Sequence, residues 1–354
     1  MKNKLLTTTA IAGLLITSSA FAQTTVTGNL DISYKGVSTD NTKGSSFRGF
    51  GKETQINISN KGKLNNGMDY VAGFSLEHDG QESGAAATTS GTAMFSENVY
   101  IDFISGGTTI TIGADHIQNP DYEPTSITGL IDIDEVISGV NLATPAFVNN
   151  IGSPYTAYGI GVTQNVGVGS ISVYYAPSNG AVAGDSAGGH GATSAGYVDG
   201  SNSTYEVGFR GGLGVKGLDV GVFYNSVDSN DKGTNTSSAD NWKIGAKYAI
   251  GAVTVGASFA SQDTNGAQPQ TTKETRAIAL GYALSPNASI SIGHAKTEDS
   301  TASKKPFEEK ITAIQLGYSL GPVGLGVSVG KVDNIGNTNQ ANGKAATFIA
   351  STRF

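Results

Sequence analysis

From Val26 to Lys35 the chain alternates. Val26, Leu30, Ile32 and Tyr34 fall on one side, and Thr27, Asn29, Asp31, Ser33 and Lys35 on the other. A two-residue period with one apolar face is the pattern of a half-buried strand. Comparable segments begin near Glu53, Met68, Phe95, Thr108, Tyr155, Ser170, Ser203, Leu218, Asp240, Val253, Glu274, Ser289, Glu308, Val323 and Lys344, so the pattern predicts sixteen strands. The last reads T-F-I-A-S-T-R-F from Thr347 to Phe354, with Phe348, Ala350, Thr352 and Phe354 on one face. Chain ends usually fray unless a sheet holds them. A strand carried to Phe354 makes sense when both its edges are paired and its aromatic ring meets an apolar medium.

The connections alternate in length. S-G-G at 105–107, N-V-G-V-G near 167, S-P-N-A at 285–288 and G-P at 321–322 carry tight-turn chemistry. Between them lie long polar connections at 36–52, 80–94, 117–154, 177–202, 228–239, 263–273, 298–307 and 333–343. Short turns on one rim and long loops on the other predict an all-β chain: a 16-stranded antiparallel transmembrane β-barrel with short periplasmic turns and long extracellular loops. Aromatics fit this register. Phe103, Phe209, Tyr248, Tyr282, Tyr318 and Phe354 fall near one rim and Tyr34, Tyr224, Trp242, Phe259 and Phe348 near the other, all on the apolar parity.

Composition narrows the class. Glycine makes up 49 of 354 residues, about twice the usual ~7 %, which suits close strand packing and tight turns. There is no cysteine. Beyond the N-terminal segment no apolar run approaches the ~18 residues of a spanning helix, so any membrane crossing is by strands. Residues 1–22 carry Lys2 and Lys4, an apolar stretch from Ala10 to Ile16, and small residues Ala20 and Ala22 in S-A-F-A. That order predicts a cleaved signal peptide over 1–22 and a mature barrel over 23–354.

Without Lys2 and Lys4 the chain keeps 20 Lys and Arg against 29 Asp and Glu. From Leu64 to Phe209 there is neither Lys nor Arg, while 15 of the acids fall there. Nucleic acid is excluded as a partner, because phosphate binding needs clustered cations.

The signal segment, the sixteen alternating segments, the long loop after the fifth, the stretch G-F-G-K-E-T-Q-I-N-I-S at 49–59 and the terminal aromatic strand together resemble a general bacterial outer-membrane porin of the alphaproteobacterial type. The resemblance implies a water-filled barrel in the outer membrane, in contact with its lipid, commonly a homotrimer, with a third loop folded inward to narrow the channel. It also implies that Phe354 is the signal recognised by the barrel-assembly machinery. The P-E-F-G-G stretch frequent in the family's third loop is absent, so constriction residues are placed by order along the chain.

That loop, 117–154, carries Asp121, Glu123, Asp132, Asp134 and Glu135, with Asp115 just before it. Its stretch I-T-G-L-I-D-I-D-E-V-I is too apolar for a solvated tip. Folding against the inner wall would bury Leu130, Ile131 and Ile133 and leave the carboxylates to the lumen, as an eyelet favouring cations. The inward parity of segments three and four adds Glu77, Asp79 and Asp102. Porin relatives set a basic cluster opposite the acidic loop; here Lys35, Lys243, Lys247, Arg210 and Arg353 are the candidates, the two arginines at the periplasmic mouth. Asp132, Asp134 and Glu135 are also hard oxygen ligands of the kind calcium takes.

The expected function is passive diffusion of small hydrophilic solutes and ions with mild cation selectivity. Alternatives are a channel specific for a sugar or phosphate, a barrel adhesin, or an outer-membrane hydrolase using His78 beside Glu77 and Asp79, or His116 beside Asp115. Strand neighbours point to opposite faces, which weighs against these pairs. G-L-G-V-K-G at 212–217 matches a dinucleotide fingerprint but joins two strands and opens no helix, so it is a turn and the chain is not expected to be an enzyme.

Overall fold

The computed structural model describes residues 23–40, 46–81, 95–113, 122, 124–127, 159–176, 203–228, 238–265 and 271–354. Sixteen strands lie within them: β1 (Gln23–Thr39), β2 (Phe47–Lys63), β3 (Asp69–Gln81), β4 (Phe95–Ser105), β5 (Thr108–Gly113), β6 (Gly159–Asn165), β7 (Ser170–Ala176), β8 (Ser203–Gly211), β9 (Leu218–Asp228), β10 (Ser238–Ile250), β11 (Val253–Asn265), β12 (Thr271–Ser285), β13 (Ala288–Asp299), β14 (Glu309–Leu320), β15 (Val323–Asp333) and β16 (Gly343–Arg353). Each pairs antiparallel with its chain neighbours, and β16 closes on β1, so the barrel has no free edge. The expected signal segment lies outside the described residues.

The seam runs from Asn29 opposite Arg353 to Thr39 opposite Gly343. Beyond it Phe354 completes the ladder: Gly28 N–H donates to Phe354 O at 2.8 Å, and Phe354 N–H to Gly28 O at 3.0 Å. A Cβ on Gly28 would stand 2.5 Å from the Phe354 ring, so glycine leaves room for the terminal aromatic.

Turns of a few residues, such as 251–252, 286–287 and 321–322, alternate with the longer connections, which defines a short-turn rim and a long-loop rim. One strand departs from its expected start. β2 begins at Phe47 rather than near Glu53, with Phe47 opposite Val37 and Arg48 opposite Gly36. Gly49 and Gly51 occupy its inward positions there, and glycine has no side chain to display the period.

Outward positions carry exposed Ile, Val, Leu and aromatic side chains around the barrel, among them Ile278 at 62 % and Phe50 at 69 % exposure. In water such a belt would be a large liability; in a bilayer it is the lipid-facing surface. The two aromatic rings form as expected on this face, with Tyr248, Tyr282, Tyr318 and Phe354 toward the short-turn rim and Tyr34, Tyr224, Trp242 and Phe348 toward the other. Inward positions differ around the circumference, and that difference makes the site.

Candidate functional site

On β1 to β5 the inner face is polar. Asp31 lies directly opposite Glu53, and Gln55 opposite Glu77. Gln55 Nε2 donates to Glu77 Oε2 at 3.4 Å, and Thr111 Oγ1 donates to Asp102 Oδ1 at 2.5 Å. A recess of about 680 Å³ on this wall is lined by Asp31, Glu53, Gln55, Asn57, Asn29 and Arg353, among others. Two carboxylates facing each other across a ladder are unfavourable by roughly 0.2–1 kcal/mol. Asp31 Oδ1 also has no hydrogen-bond partner. An unpartnered Asp31 oxygen with a second carboxylate directly opposite it points to a role outside folding.

Glu77 and Asp102 sit on the inner face as their parity predicts, and Asp79 stands opposite Glu53 in register. Lys35 and Arg353 lie on the same wall, Arg353 at the short-turn rim. Asp31 and Glu53 share the inward parity of their own segments, and that alternation is the signal for them in the sequence.

The opposite wall is built differently. Lys243 and Lys247 take inward positions on β10, but Lys243 is fully buried opposite Phe223 and Ala260, both also buried. It therefore forms no part of an open basic wall, contrary to expectation. Arg210 on β8 is exposed but engaged: its Nη2 lies 3.1 Å from Asp219 Oδ2 and its guanidinium 4.8 Å over the Tyr122 ring.

Tyr122 belongs to the long third loop, and with 124–127 it crosses the inside of β9 to β12. Its hydroxyl donates to Asp219 O at 2.6 Å, and its ring lies 6.0 Å from that of Phe223. Glycine makes this possible at each strand. A Cβ on Gly221 would meet Tyr122 Cδ1 at 2.5 Å, and one on Gly245 would meet Pro124 Cγ at 2.6 Å. One on Gly256 would collide with Pro124 O, and one on Gly281 with Ile127 Cγ2. Four glycines on four successive strands thus form a slot for the loop, and Ile127 packs on an apolar patch beyond it. Asp115, Asp121, Glu123, Leu130, Ile131, Ile133, Asp132, Asp134 and Glu135 lie outside the described residues, and so does the calcium reading of the last three.

A second segment folds inward where a polar, solvated loop was expected. In 334–342, Ile335, Asn337 and Ala341 are buried. Asn337 Nδ2 donates to Thr297 O at 2.9 Å and to Phe307 O at 2.6 Å, while Gly336 N–H donates to Glu309 Oε2 at 2.6 Å. Asn334, Asn337 and Gln340 take positive φ, a conformation asparagine tolerates well. The segment covers an inner wall of Ala277, Ala279, Ala295, Ala313, Ile311 and Val332. Two apolar residues within polar N-I-G-N-T-N-Q-A-N were the signal available in sequence.

No group of three metal-ligating side chains occurs among the described residues. His294 faces outward, its Nδ1 2.8 Å from Thr312 Oγ1. The side chain of His78, and His116 altogether, lie outside the described residues.

A closed sixteen-stranded barrel with an apolar exterior, a polar inner wall and a third loop seated inside defines a membrane channel. The profile of the Gram-negative porin family matches residues 7–301, and the chain belongs to that family. No curated protein matches the sequence. Solved structures share the fold. An outer-membrane-expressed OmpT of Vibrio cholerae is 12 % identical with a TM-score of 0.61, covering 96 % of this chain and 100 % of its own. A mutant porin of Rh. blastica is 14 % identical with a TM-score of 0.60, covering 94 % and 100 %. A trimer form of the Vibrio cholerae protein is 12 % identical with a TM-score of 0.59, covering 94 % and 99 %.

Proposed function

We propose that this outer-membrane channel passes small hydrophilic solutes and ions by passive diffusion with a mild preference for cations. The observation that carries the preference is the polar wall of β1 to β5, where Asp31, Glu53, Glu77 and Asp102 all face inward. Ringed carboxylates set the local potential of a narrow pore and raise the cation concentration within it. The carboxylates of Asp115, Asp121, Glu123, Asp132, Asp134 and Glu135 form the facing side in this reading. Its support is that Tyr122, Pro124 and Thr125, which neighbour two of them, are buried against the inner wall. Lys35, Lys247, Arg210 and Arg353 then moderate the field toward the two mouths.

The chain is exported through a signal peptide over 1–22 and assembles as a homotrimer, a state that one structural relative's description also gives. The ring of Phe354, 69 % exposed beside the seam, suits recognition by the assembly machinery. The amide- and carboxylate-lined recess beside Asp31 favours, as a second reading, saturable binding of a sugar through its hydroxyls. Reversal potentials in a salt gradient across a planar bilayer test the first reading: a potential of the cation-permeable sign is expected, and anion preference overturns it. Conductance block by added sugar would decide for the second.

A further inference from the structure

The recess of about 680 Å³ on the inner wall at β1, β2 and β16 holds two opposite charges that the fold leaves unused. Its inward side chains lie in rows across the seam. One row runs Arg353, Asn29, Gln55, Glu77, and the next row toward the long loops runs Ser351, Asp31, Glu53. Asn57, opposite Thr27, stands one row toward the short-turn rim.

The amides of this recess are already engaged. Asn57 Nδ2 donates to Gln55 Oε1 at 3.5 Å, and Gln55 Nε2 donates to Glu77 Oε2 at 3.4 Å. Asp31 and Arg353 differ. Asp31 Oδ1 is buried with no hydrogen-bond partner. The Arg353 guanidinium has no hydrogen-bond or ion-pair partner among the described residues. Arg353 stands diagonal to Asp31 in register. Across such a diagonal residues are about 7–8 Å apart and long side chains still meet, yet no ion pair joins these two.

A buried carboxylate oxygen without a donor is costly, so the pair frames a gap that a ligand with both charges fills. An ammonium offers three donors, enough for the orphaned Asp31 oxygen and for Glu53 opposite it. Arginine's planar fork takes a carboxylate through two parallel N–H···O bonds. In an α-amino acid one carbon separates these two groups, a span that two convergent side chains bracket. Two carboxylates, Asp31 and Glu53, against one guanidinium leave negative charge in excess, which a second ammonium on the ligand offsets.

We infer that the recess beside Asp31 and Arg353 is a binding subsite for a free α-amino acid carrying a second ammonium, as lysine does. The inference rests on the reading of the barrel as an open channel. The α-carboxylate docks on the Arg353 guanidinium, the α-ammonium on Asp31, and the side-chain ammonium reaches the carboxylates of Glu53 and Glu77. A diamine places only cations in the recess and leaves Arg353 unmatched. A sugar meets neither charge with one of its own.

Single-channel recording of the full chain in planar bilayers tests this, with L-lysine, cadaverine and glucose as probes. L-lysine should interrupt the current saturably. Cadaverine, which lacks the carboxylate, should need at least about tenfold more, from loss of the charge-assisted bonds to Arg353. General attraction to an acidic wall runs the other way, because cadaverine carries the larger positive charge. Arg353→Gln should bring the two blocking concentrations together, and Asp31→Asn should weaken L-lysine by about tenfold. Lys61→Gln removes a cation at the same mouth but outside the recess, and the ratio should not change. Should Arg353→Gln fail to assemble, Arg353→Lys, which keeps the charge and loses the fork, should still lower the ratio.

Cadaverine blocking the parent as well as L-lysine does, or a ratio that survives both Arg353 variants, overturns the subsite. Block by glucose with none by L-lysine would also overturn it and favour the sugar reading. Reversal potentials on the parent keep the inferences apart. A potential of the cation-permeable sign without L-lysine block overturns the subsite alone, whereas anion preference with L-lysine block intact supports the subsite and overturns only the selectivity reading.

Discussion

The two inner walls of this barrel obey the same alternation and end up as different materials. On β1 to β5 the inward positions include Asp31, Glu53, Gln55, Asn57, Glu77 and Asp102, partly exposed and without a covering segment among the described residues. On β9 to β16 glycines and alanines stand among buried polar residues such as Asn241, Lys243 and Thr275, and chain lies on top: Tyr122 and 124–127 over the glycine slot and 334–342 over the alanine patch. Burying a charged inward residue is costly unless it is partnered. A missing or small side chain admits another backbone. Inward glycines and alanines thus leave room for a seat, and the segment that comes to rest there decides which arc is covered.

The sharpest way to break this contrast is to fill the seat. Gly256→Val puts side-chain atoms where Pro124 O lies, so 124–127 must move. Expected are an altered single-channel conductance and a destabilisation of roughly 1–3 kcal/mol from overpacking. Gly51→Ala on the charged wall meets only the rotatable Ser33 hydroxyl, at 3.0 Å, and should leave conductance unchanged. If both variants conduct like the parent, the slot does not position the loop.

Charge removal comes next. Asp31→Asn with Glu53→Gln should lower the cation-to-anion permeability ratio by up to about fivefold per charge, from a screened interaction of about 1 kcal/mol at ~4 Å. Lys243→Met, on the covered wall, should alter thermal stability but not the ratio. A ratio that responds to Lys243 and ignores Asp31 and Glu53 would reverse the assignment of the walls.

Tyr122→Phe removes only the hydroxyl that donates to Asp219 O. About 0.5–1.5 kcal/mol should be lost locally, which would show as added flicker in single-channel records at unchanged mean selectivity. Smallest is the effect of acid on the loop at 300–308. Hydrogen bonds from Lys296 and then Lys310 hold the Glu308 carboxyl below its usual range. A depressed carboxyl contributes stability that is fully present above the ordinary glutamate value and is lost as pH falls through the lowered one. Amide exchange in 300–308 should therefore quicken as pH falls through that window, and Glu308→Gln should reduce the pH dependence, with Asp299, which accepts from Thr301 N–H, carrying the rest.

Much of the fold was open to reading because strand alternation is local. Sixteen segments, the two rims, the aromatic rings and the seam at Phe354 all follow from a two-residue period and from turn chemistry. Glu77 and Asp102 came out on the inner face by the same rule. Lys243 did not come out as buried, because parity gives a side chain's direction and says nothing of what lies in front of it. Nor did the glycine slot: Gly221, Gly245, Gly256 and Gly281 are far apart in sequence and become one feature only when four strands stand side by side.

By itself, then, the sequence determined the class of protein, the strand set and which residues face in or out, since each depends on neighbours two positions away. Only the tertiary structure decided which inward residues meet water. That depends on where Tyr122, 124–127 and 334–342 come to rest, through contacts between segments distant along the chain.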